Sequence, residues 1–263
     1  MSAEIVLSIF STSIISRSAR KKHKPRTTDS RHGLPSYLNQ AKSYIPTQAN
    51  RLWISNITYI PIHLNESKHI FCYLSLILDA YSKEIVGWAI GETLETGHCI
   101  HALRMALKRV DVTSGKELIH HSDRGCQYAS KEYTSLLREY GITISMTEDG
   151  NPKDNAQAER TNNTIKNELL KGKPFCDIKE VREAVEKAVL FYNTERPHMS
   201  INMMTPQEAA THTGEIKKGW TSYRDIAIKI YKRRTSLQIN AYLWEHKLFH
   251  KGTYGNPIGI TMG

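Results

Sequence analysis

Residues 70–78, Ile-Phe-Cys-Tyr-Leu-Ser-Leu-Ile-Leu, form a run that is nearly all apolar. A run of this length and composition is typical of a strand in the middle of a sheet, with both of its faces covered. A strand with one face in water would instead alternate apolar and polar residues. The run therefore predicts a domain in which a sheet has other elements packed on both sides.

The patterns around this run predict three strands followed by alternating helices and strands. The predicted strands are 52–60, 69–78, 83–90, 117–121 and 142–146, and the predicted helices are 100–107, about 130–140, about 154–171, about 178–192 and a short one that opens at Thr205-Pro206. The order β-β-β-α-β-α-β-α is that of a ribonuclease H-like α/β fold, in which helices flank a five-stranded mixed sheet. We expect extended N- and C-terminal segments outside this fold.

Two carboxylates stand where rigid elements are predicted to hold them. Asp123 follows the predicted strand Leu118–His121, and Gly125, two residues later, is expected to interrupt the regular backbone structure. Glu159 falls in the first two turns of a predicted helix. Hard cations such as Mg²⁺ use one or two carboxylates and leave room for a substrate phosphate. A third acid would complete such a site, but the polar residue in the middle of the first predicted strand is Asn56, an amide.

Five short blocks of sequence can be compared with known families. They are Trp53–Tyr59, Leu78–Trp88, His120–Tyr128, Asp154–Arg160 and Phe191–Ser200. In this order they resemble the integrase core of insertion-sequence transposases, namely the second-frame product of the insertion sequence three family, over roughly residues 45–212. The family carries an Asp-Asp-Glu triad with thirty-five residues between its last two members, as between Asp123 and Glu159. The family's first acid lies in a Trp-x-x-Asp-x-Thr-Tyr block, where this chain has Asn56.

The resemblance implies metal-dependent phosphoryl transfer on DNA, with an Asp-Asp-Glu site of retroviral integrase type. It implies a catalytic role for Asp123, Glu159 and position 56, and two Mg²⁺ (or Mn²⁺) ions in an intact site. Asp123 and Glu159 would be metal ligands and Asn56 a weak one. Because an amide lacks the negative charge that helps to hold two dications, we expect catalysis to be reduced or absent and folding to be intact. We also expect DNA contacts from Lys166, Arg160 and Arg124.

Charge and pattern divide the chain into three parts. We expect residues 1–45 to form a flexible basic arm, residues 46–212 the catalytic core, and residues 213–263 a basic tail with no clear period after Thr235. The formal net charge of +10 indicates a polyanionic partner such as DNA. The charge of the arm lies in Arg17, Arg20, Lys21, Lys22, Lys24 and Arg26.

The sequence carries no signal of secretion or membrane insertion. No run approaches the roughly 18 apolar residues that a membrane span needs. The four cysteines lie far apart and form no Cys-x-x-Cys pair, which is typical of a reducing compartment. We therefore expect a cytoplasmic, nucleoid-associated protein. The resemblance implies a homo-oligomer acting on element ends and target DNA, with a helix-turn-helix protein supplied by an upstream reading frame.

Two other functions fit parts of the sequence. The first is a non-catalytic DNA-binding remnant or regulator of an insertion element, which would keep the basic surface and lose the metals. The second is a host nuclease of the same fold, against which the block at 191–200 argues. All three functions predict salt-dependent DNA binding, so metal-dependent cleavage separates them.

Four further polar residues have local interpretations. Asp79 ends a predicted central strand, where it could replace the missing acid, but a role as the cap of the following turn is the stronger prediction. His120 and His121 are neighbours on a strand and must point to opposite faces, which predicts a structural role for at least one of them. His198 follows Arg-Pro and is predicted to be a hydrogen-bonding residue in a bend, with a DNA contact as the alternative.

Overall fold

A computed structural model describes residues 32–65, 68–110, 117–148, 155–217 and 219–251. Five strands form one mixed sheet. They are β1 (Leu52–His63), β2 (His69–Asp79), β3 (Ile85–Gly91), β4 (Ile119–Ser122) and β5 (Thr143–Met146). Their order across the sheet is β3-β2-β1-β4-β5, with β1 to β3 antiparallel and with β4 and β5 added in parallel to β1.

Helices cover the sheet on both sides. They are α1 (Thr96–Leu107), α2 (Cys126–Ala129), α3 (Lys131–Glu139), α4 (Ala156–Asn163), α5 (Ile178–Thr194), α6 (Pro206–Ala210) and α7 (Tyr223–Lys251). A π-helical segment, Thr164–Leu169, continues α4, and a short 3₁₀ turn, Met199–Ile201, precedes α6. The predicted ribonuclease H-like α/β fold is confirmed.

Alternation along β1 directs its side chains to two separate cores. Trp53 and Ile57 belong to the core that β1, β2 and β3 share with α1, α2 and α3. Ile60 and Ile62, on the other face, pack with the π-helical segment and α5. Residues an even number of positions apart on a strand share a face, so Asn56 lies on the face of Ile60 and Ile62.

The run that predicted a central strand has its two faces covered as expected. Leu74, Leu76 and Leu78 of β2 lie in the core under α5, while Ile77 lies in the core under α1. Cys72 is also buried, and burial raises the pKa of its thiol to about 11, which keeps it a neutral apolar group. The sheet is therefore the middle layer of three.

Some elements differ from the predicted ones for local reasons. β3 begins at Ile85, two residues later than predicted, because Lys83 lies in the turn with a φ of 67°. The short helix α2 had no separate signal, and the predicted helix 154–171 is α4 followed by a π-helical segment. The opening of that predicted helix, including Asp154, lies outside the described residues.

The segment before β1 contacts the core from residue 32 onward. The backbone N–H of Gln40 donates to Ser145 Oγ at 2.8 Å, and Ala41 is 5% exposed. Lys42 forms an ion pair of 2.6 Å with Glu148. These residues were grouped with the flexible arm in the sequence analysis, whereas the basic cluster 17–26 lies outside the described residues.

The predicted tail contains the longest helix of the described chain, α7, which spans 29 residues. Its exposed apolar side chains include Ile226 and Ile230, while Ile228 is buried. The apolar residues do not gather on one stripe, which explains why no period was visible in the sequence. Among the described helices, including α7, none combines the length and the apolar composition that crossing a bilayer requires.

Candidate active site

The parallel pairing of β1 with β4 brings two predicted site residues together. Trp53 is paired with His120 and Ile54 with His121. The same register, continued by two residues, brings Asn56 opposite Asp123, on neighbouring strands that are about 5 Å apart. Asp123 directly follows the last residue of β4, and α4 packs beside this part of β1 through Ala158, next to Leu52 and Ile54. Asn56 and Asp123 are each thirty-six residues or more from the other and from Glu159 in sequence. The pairing of β1 with β4 nevertheless brings Asn56 and Asp123 close together.

The first turn of α4 is tied to the sheet at two points. The side-chain amide of Asn155 donates to the carbonyl of Ser55 at 3.2 Å, one residue before the predicted site position on β1. The Lys83 ammonium, in the turn between β2 and β3, donates to Gln157 Oε1 at 2.8 Å. Glu159 follows these anchors and its backbone N–H donates to the Asn155 carbonyl at 3.1 Å. Its side chain is exposed.

Apolar packing determines how closely the first turn of α4 approaches the sheet. Ala158 is 3% exposed and packs in a small cluster with Leu52, Ile54 and Ala80. A small side chain allows the helix to approach the sheet closely there. Glu159, the next residue, is consequently carried at the edge of the contact between α4 and β1.

The side chain of Asn56 makes a local hydrogen bond. Its Oδ1 accepts from the backbone N–H of Ile57 at 2.9 Å. Asp123, which is half-buried, accepts from the backbone N–H of Gly125 at 3.0 Å through Oδ1. Within the described residues no group of three or more His, Cys, Asp and Glu side chains is arranged to hold a metal ion. The predicted site thus contains two carboxylates and one amide.

The three residues predicted to contact DNA lie in different surroundings. Arg160 is exposed on α4. Arg124 is half-buried, and its Nε donates to the carbonyl of Thr147 at 2.8 Å, while its own carbonyl accepts from His32 at 2.8 Å. Arg124 therefore helps to hold the loop after β4 in place. Its contact with DNA remains a prediction.

Lys166, the third predicted DNA contact, is held in a fixed direction by the π-helical segment and by Tyr59. Its Nζ lies 3.3 Å from the centroid of the Tyr59 ring, within the range of a cation–π contact. Helical segments of the π type occur frequently at functional sites. The ammonium therefore lies beside Tyr59 of β1, whose side chain, three positions from Asn56, points to the other face of the sheet.

Asp79 caps a turn, as predicted. Its carboxylate accepts from the backbone N–H groups of Asn50, Tyr81 and Ser82 and from the Ser82 hydroxyl, at 2.7–3.1 Å. Burial raises the pKa of this carboxyl group, and the hydrogen bonds from Ser82 and Asn50 oppose that effect. Its Oδ1 accepts from the turn and its Oδ2 accepts from Asn50, which favours the predicted capping role over a role as replacement for the missing acid.

Both adjacent histidines of β4 are buried, on opposite faces of the sheet. The His120 ring lies within hydrogen-bond distance of Ser55 Oγ (2.6 Å) and Tyr133 OH (2.9 Å). Burial lowers the pKa of His120 to about 3, with the neighbouring His121 adding to the effect. His121 Nδ1 lies 2.8 Å from Ser145 Oγ. The predicted structural role is confirmed and applies to both.

The block at 191–200 joins α5 to the rest of the domain. Asn193 bonds both backbone groups of Ile85 through its side-chain amide, at 2.9 and 3.0 Å. Arg196 forms an ion pair of 2.8 Å with Glu168 in the π-helical segment. In the predicted bend the backbone N–H of His198 donates to Met204, and its ring packs edge-on against Tyr192 at 4.7 Å.

Desolvation lowers the pKa of His198 to about 4, and the charges of Arg196 and Lys83 act in the same direction. Asn155, Lys83 and Asn193 are positioning residues that no sequence motif indicated. Their hydrogen-bond partners lie 100, 74 and 108 residues away in sequence, and no pattern of neighbouring residues predicts pairs that are so far apart.

Comparison with protein families matches two integrase core domain models. One covers residues 46–152 and the other residues 140–206. Together they span the chain from just before β1 to the first residue of α6. A chain of the simian T-cell lymphotropic virus intasome has the same fold, with a TM-score of 0.52 and 19% sequence identity over 75% of this chain and 67% of that one.

Relatives from insertion elements are more similar in sequence. The uncharacterized 31 kDa protein of insertion element IS600 from Shigella sonnei is 36% identical, over 72% of this chain and 68% of the relative. The transposase of insertion sequence element IS904 from Lactococcus lactis subsp. lactis is 32% identical, over 66% of each. The chain therefore belongs to the family of insertion-sequence transposases with a retroviral-type integrase core.

Proposed function

We propose that this chain is a DNA transposase whose catalytic centre is Asp123, Glu159 and position 56, and that Asn56 leaves its phosphoryl transfer greatly reduced. The observation that supports the proposal is the parallel register of β1 and β4, which, if continued by two residues, would bring position 56 opposite Asp123, beside the part of β1 against which α4 packs through Ala158. Membership in the transposase family supports DNA as the substrate.

The donor atoms of this site fit a hard divalent cation such as Mg²⁺ or Mn²⁺ only in part. Asp123 and Glu159 supply carboxylate oxygens, and one or two carboxylates are enough for one such ion when phosphate supplies further ligands. Position 56 supplies a neutral amide, whose oxygen already accepts from the N–H of Ile57. The charge that would hold a second ion is missing, so the residues present favour one weakly bound ion over two.

The reaction itself consists of two in-line displacements at phosphorus. In the first, water attacks a phosphodiester at the element end, the bond to the 3′ oxygen breaks, and a free 3′ hydroxyl remains. In the second, that hydroxyl attacks a phosphodiester of the target, a new ester bond forms, and the target's own 3′ oxygen leaves. Divalent ions in sites of this type activate the attacking oxygen and stabilise the leaving one.

The protein's own residues supply position and charge. Asp123 and Glu159 would hold the ions, one from a strand end and one from a helix that Asn155 and Lys83 tie to the sheet. Arg160 and Lys166, on the same helix and its continuation, would hold DNA phosphates beside them. Arg124 would contribute through the loop after β4. Rigid elements suit this task because small displacements of catalytic groups cost large factors in rate.

A second candidate function is that of a non-catalytic DNA-binding regulator of an insertion element. Asn56 is the observation that favours it, because the fold and the basic residues are kept while one acid of the triad is replaced. Such a protein would occupy element ends without cleaving them. Both candidates predict DNA binding, and metal-dependent cleavage distinguishes them.

The test is nicking of supercoiled plasmid in Mg²⁺ or Mn²⁺ by the chain as given, by Asn56→Asp, and by Asn56→Asp combined with Asp123→Ala. We expect Asn56→Asp to nick at least about tenfold faster than the chain as given, since a missing ligand charge of this kind costs more than about 1.4 kcal/mol of transition-state stabilisation. The double variant should lose that gain.

Two results would redirect the proposal. Equal nicking by the chain as given and by Asn56→Asp would show that position 56 is not a corner of the site. No nicking by either, with DNA binding retained, would favour the regulator. Element-end oligonucleotides can replace plasmid where nonspecific nicking is weak.

The assembly in which the chain acts is also part of the proposal. We infer a homo-oligomer on paired element ends, helped by an upstream-frame protein with a helix-turn-helix, in association with the nucleoid. Residues 46–212 would be the catalytic core, with residues 1–45 as a basic arm and residues 213–263, which include α7, as a basic extension.

A further inference from the structure

A pocket of about 520 Å³ lies beside the far end of β1, between that strand and the loop that leads from the π-helical segment to α5. Its floor is apolar and includes Ile60 and Phe175. Its basic side chains are His63, Lys166, Lys171 and Lys173, and none of the described residues that line it is acidic. The pocket therefore combines a shallow apolar floor with a rim of basic side chains.

The loop that carries two of these lysines has a fixed shape. The carbonyl of Phe175 accepts from the backbone N–H of His63 at 2.7 Å, which joins the end of the loop to β1. Gly172 has a φ of 74°, a conformation that glycine adopts at little cost, and the N–H of Lys173 donates to the carbonyl of Leu170 at 3.3 Å. The backbone at both lysines is thus held before any ligand arrives.

The lysines are arranged so that their charges face solvent. Lys171 and Lys173 are exposed, whereas Phe175 is 5% exposed and packs in the core with Val181. Lysine stems commonly lie along apolar surface while the ammonium stays in water. Such a rim can hold an anion at the surface without burying a charge, and it suits a phosphodiester better than an apolar ligand.

We propose that this pocket binds a backbone phosphate of DNA at a distance from the reacting phosphate, through Lys171 and Lys173. The inference rests on the proposed function, because it takes DNA as the substrate. Ile60 is four residues beyond Asn56 on the same face of β1, a distance of about 13 Å. With a rise of about 3.4 Å per base pair, the pocket would meet DNA about four base pairs from the site of reaction.

The pocket would contribute affinity that does not depend on base sequence. Each phosphate neutralised by a lysine releases condensed counterions, so binding weakens as salt rises. Lys166, which lies over Tyr59 and also lines the pocket, would continue the same track of positive charge. DNA held at both places would lie along β1 and the π-helical segment.

The experiment is fluorescence anisotropy titration of a labelled 30-base-pair duplex in EDTA, with the whole chain and over a range of salt concentrations. The test variant is Lys171→Gln with Lys173→Gln. The matched control is Lys179→Gln with Lys187→Gln, which removes the same charge from exposed positions on α5. We expect the test pair to weaken binding about tenfold or more and to lower the salt slope by about 2, and the control pair to change little.

The outcomes separate the pocket from the function on which it rests. If both pairs weaken binding equally, total charge is responsible and the pocket proposal fails while DNA binding stands. If the unaltered chain binds no DNA, the pocket proposal and the proposed function both fail. A Lys171→Arg, Lys173→Arg pair keeps both charges and is expected to bind like the unaltered chain; its failure, like full binding by the Gln pair, would overturn the proposal.

Discussion

Two aspartates stand at the ends of β2 and β4, the strands on either side of β1, and their surroundings differ sharply. Asp79, at the end of β2, is 1% exposed and accepts four hydrogen bonds, three from the turn that it caps and one from the backbone N–H of Asn50. Asp123, just after β4, is half-buried and accepts from the Gly125 N–H. A carboxylate whose oxygens are all engaged within the fold has no capacity left for a ligand.

The same contrast divides the polar residues in and around the sheet into two groups. We call Asp79 and His120 the buried frame, because burial and internal hydrogen bonds fix both of them. We call Asn56, Asp123 and Glu159 the open site. Residues of the frame should matter for stability, and residues of the open site should matter for binding and chemistry. The predictions below test this division.

The largest expected effect is on the frame. Asp79→Ala should lower the free energy of unfolding by about 3 kcal/mol, because it leaves buried N–H groups of the turn without acceptors. Asp123→Ala should cost about 1 kcal/mol or less. Urea unfolding followed by circular dichroism measures both. Equal losses for the two variants would remove the distinction between frame and open site.

A second effect concerns the pH dependence of stability. The pKa of His120 is about 3 in the folded protein and near 6.5 when unfolded, so between these values the unfolded chain binds a proton that the folded one does not. Stability should therefore be lost as pH falls from about 6.5 toward 3.

His120→Gln, which cannot titrate, should lose less stability than the unaltered chain on that descent. The difference should reach about 2 kcal/mol between pH 6.5 and pH 5, at roughly 1.4 kcal/mol per pH unit. The control is His212→Gln, at an exposed position, whose free energy of unfolding is measured at the same two pH values. Parallel pH profiles for His120→Gln and the unaltered chain would contradict a buried neutral imidazole.

The smallest effect belongs to the open site. Asn56→Asp should lower stability in EDTA by about 1 kcal/mol, a shift in Tm of roughly 2–4 °C, because like charges on paired strands repel. Added Mg²⁺ or Mn²⁺ should restore it by binding the folded state, with a smaller gain for the unaltered chain. Asn56→Asp with Asp123→Asn should lose the metal response, and an equal response in all three proteins would contradict a metal site there.

The sequence predicted most of the sheet and much of the candidate site. Apolar runs and turn residues are local signals, so the strands around Leu74 and Ile144 and the helix around Val185 could be assigned from composition and spacing. Asp123 and Glu159 could be selected because a strand end and a helix start are positions of rigid backbone. The replacement at Asn56 was visible because a resemblance supplied the expected residue.

The remaining features depend on contacts between distant parts of the chain. The ties from Asn155 to β1 and from Lys83 to α4 have no local pattern. The π-helical winding around Lys166 is not distinguishable from an α-helix by apolar spacing over six residues. The pocket near Lys173 depends on a loop meeting the end of β1, which only the three-dimensional packing decides.

The pair formed by Asn193 and Ile85 has a consequence for how the protein is made. Ile85 opens the edge strand β3, and its N–H and C=O are satisfied by a side chain that lies 108 residues later. At synthesis rates of about 5–20 residues per second, roughly 5–20 s separate the translation of the two residues. During that interval the backbone groups of Ile85 lack this partner and are available for pairing with another nascent chain, and a polypeptide that terminates before Asn193 never acquires it.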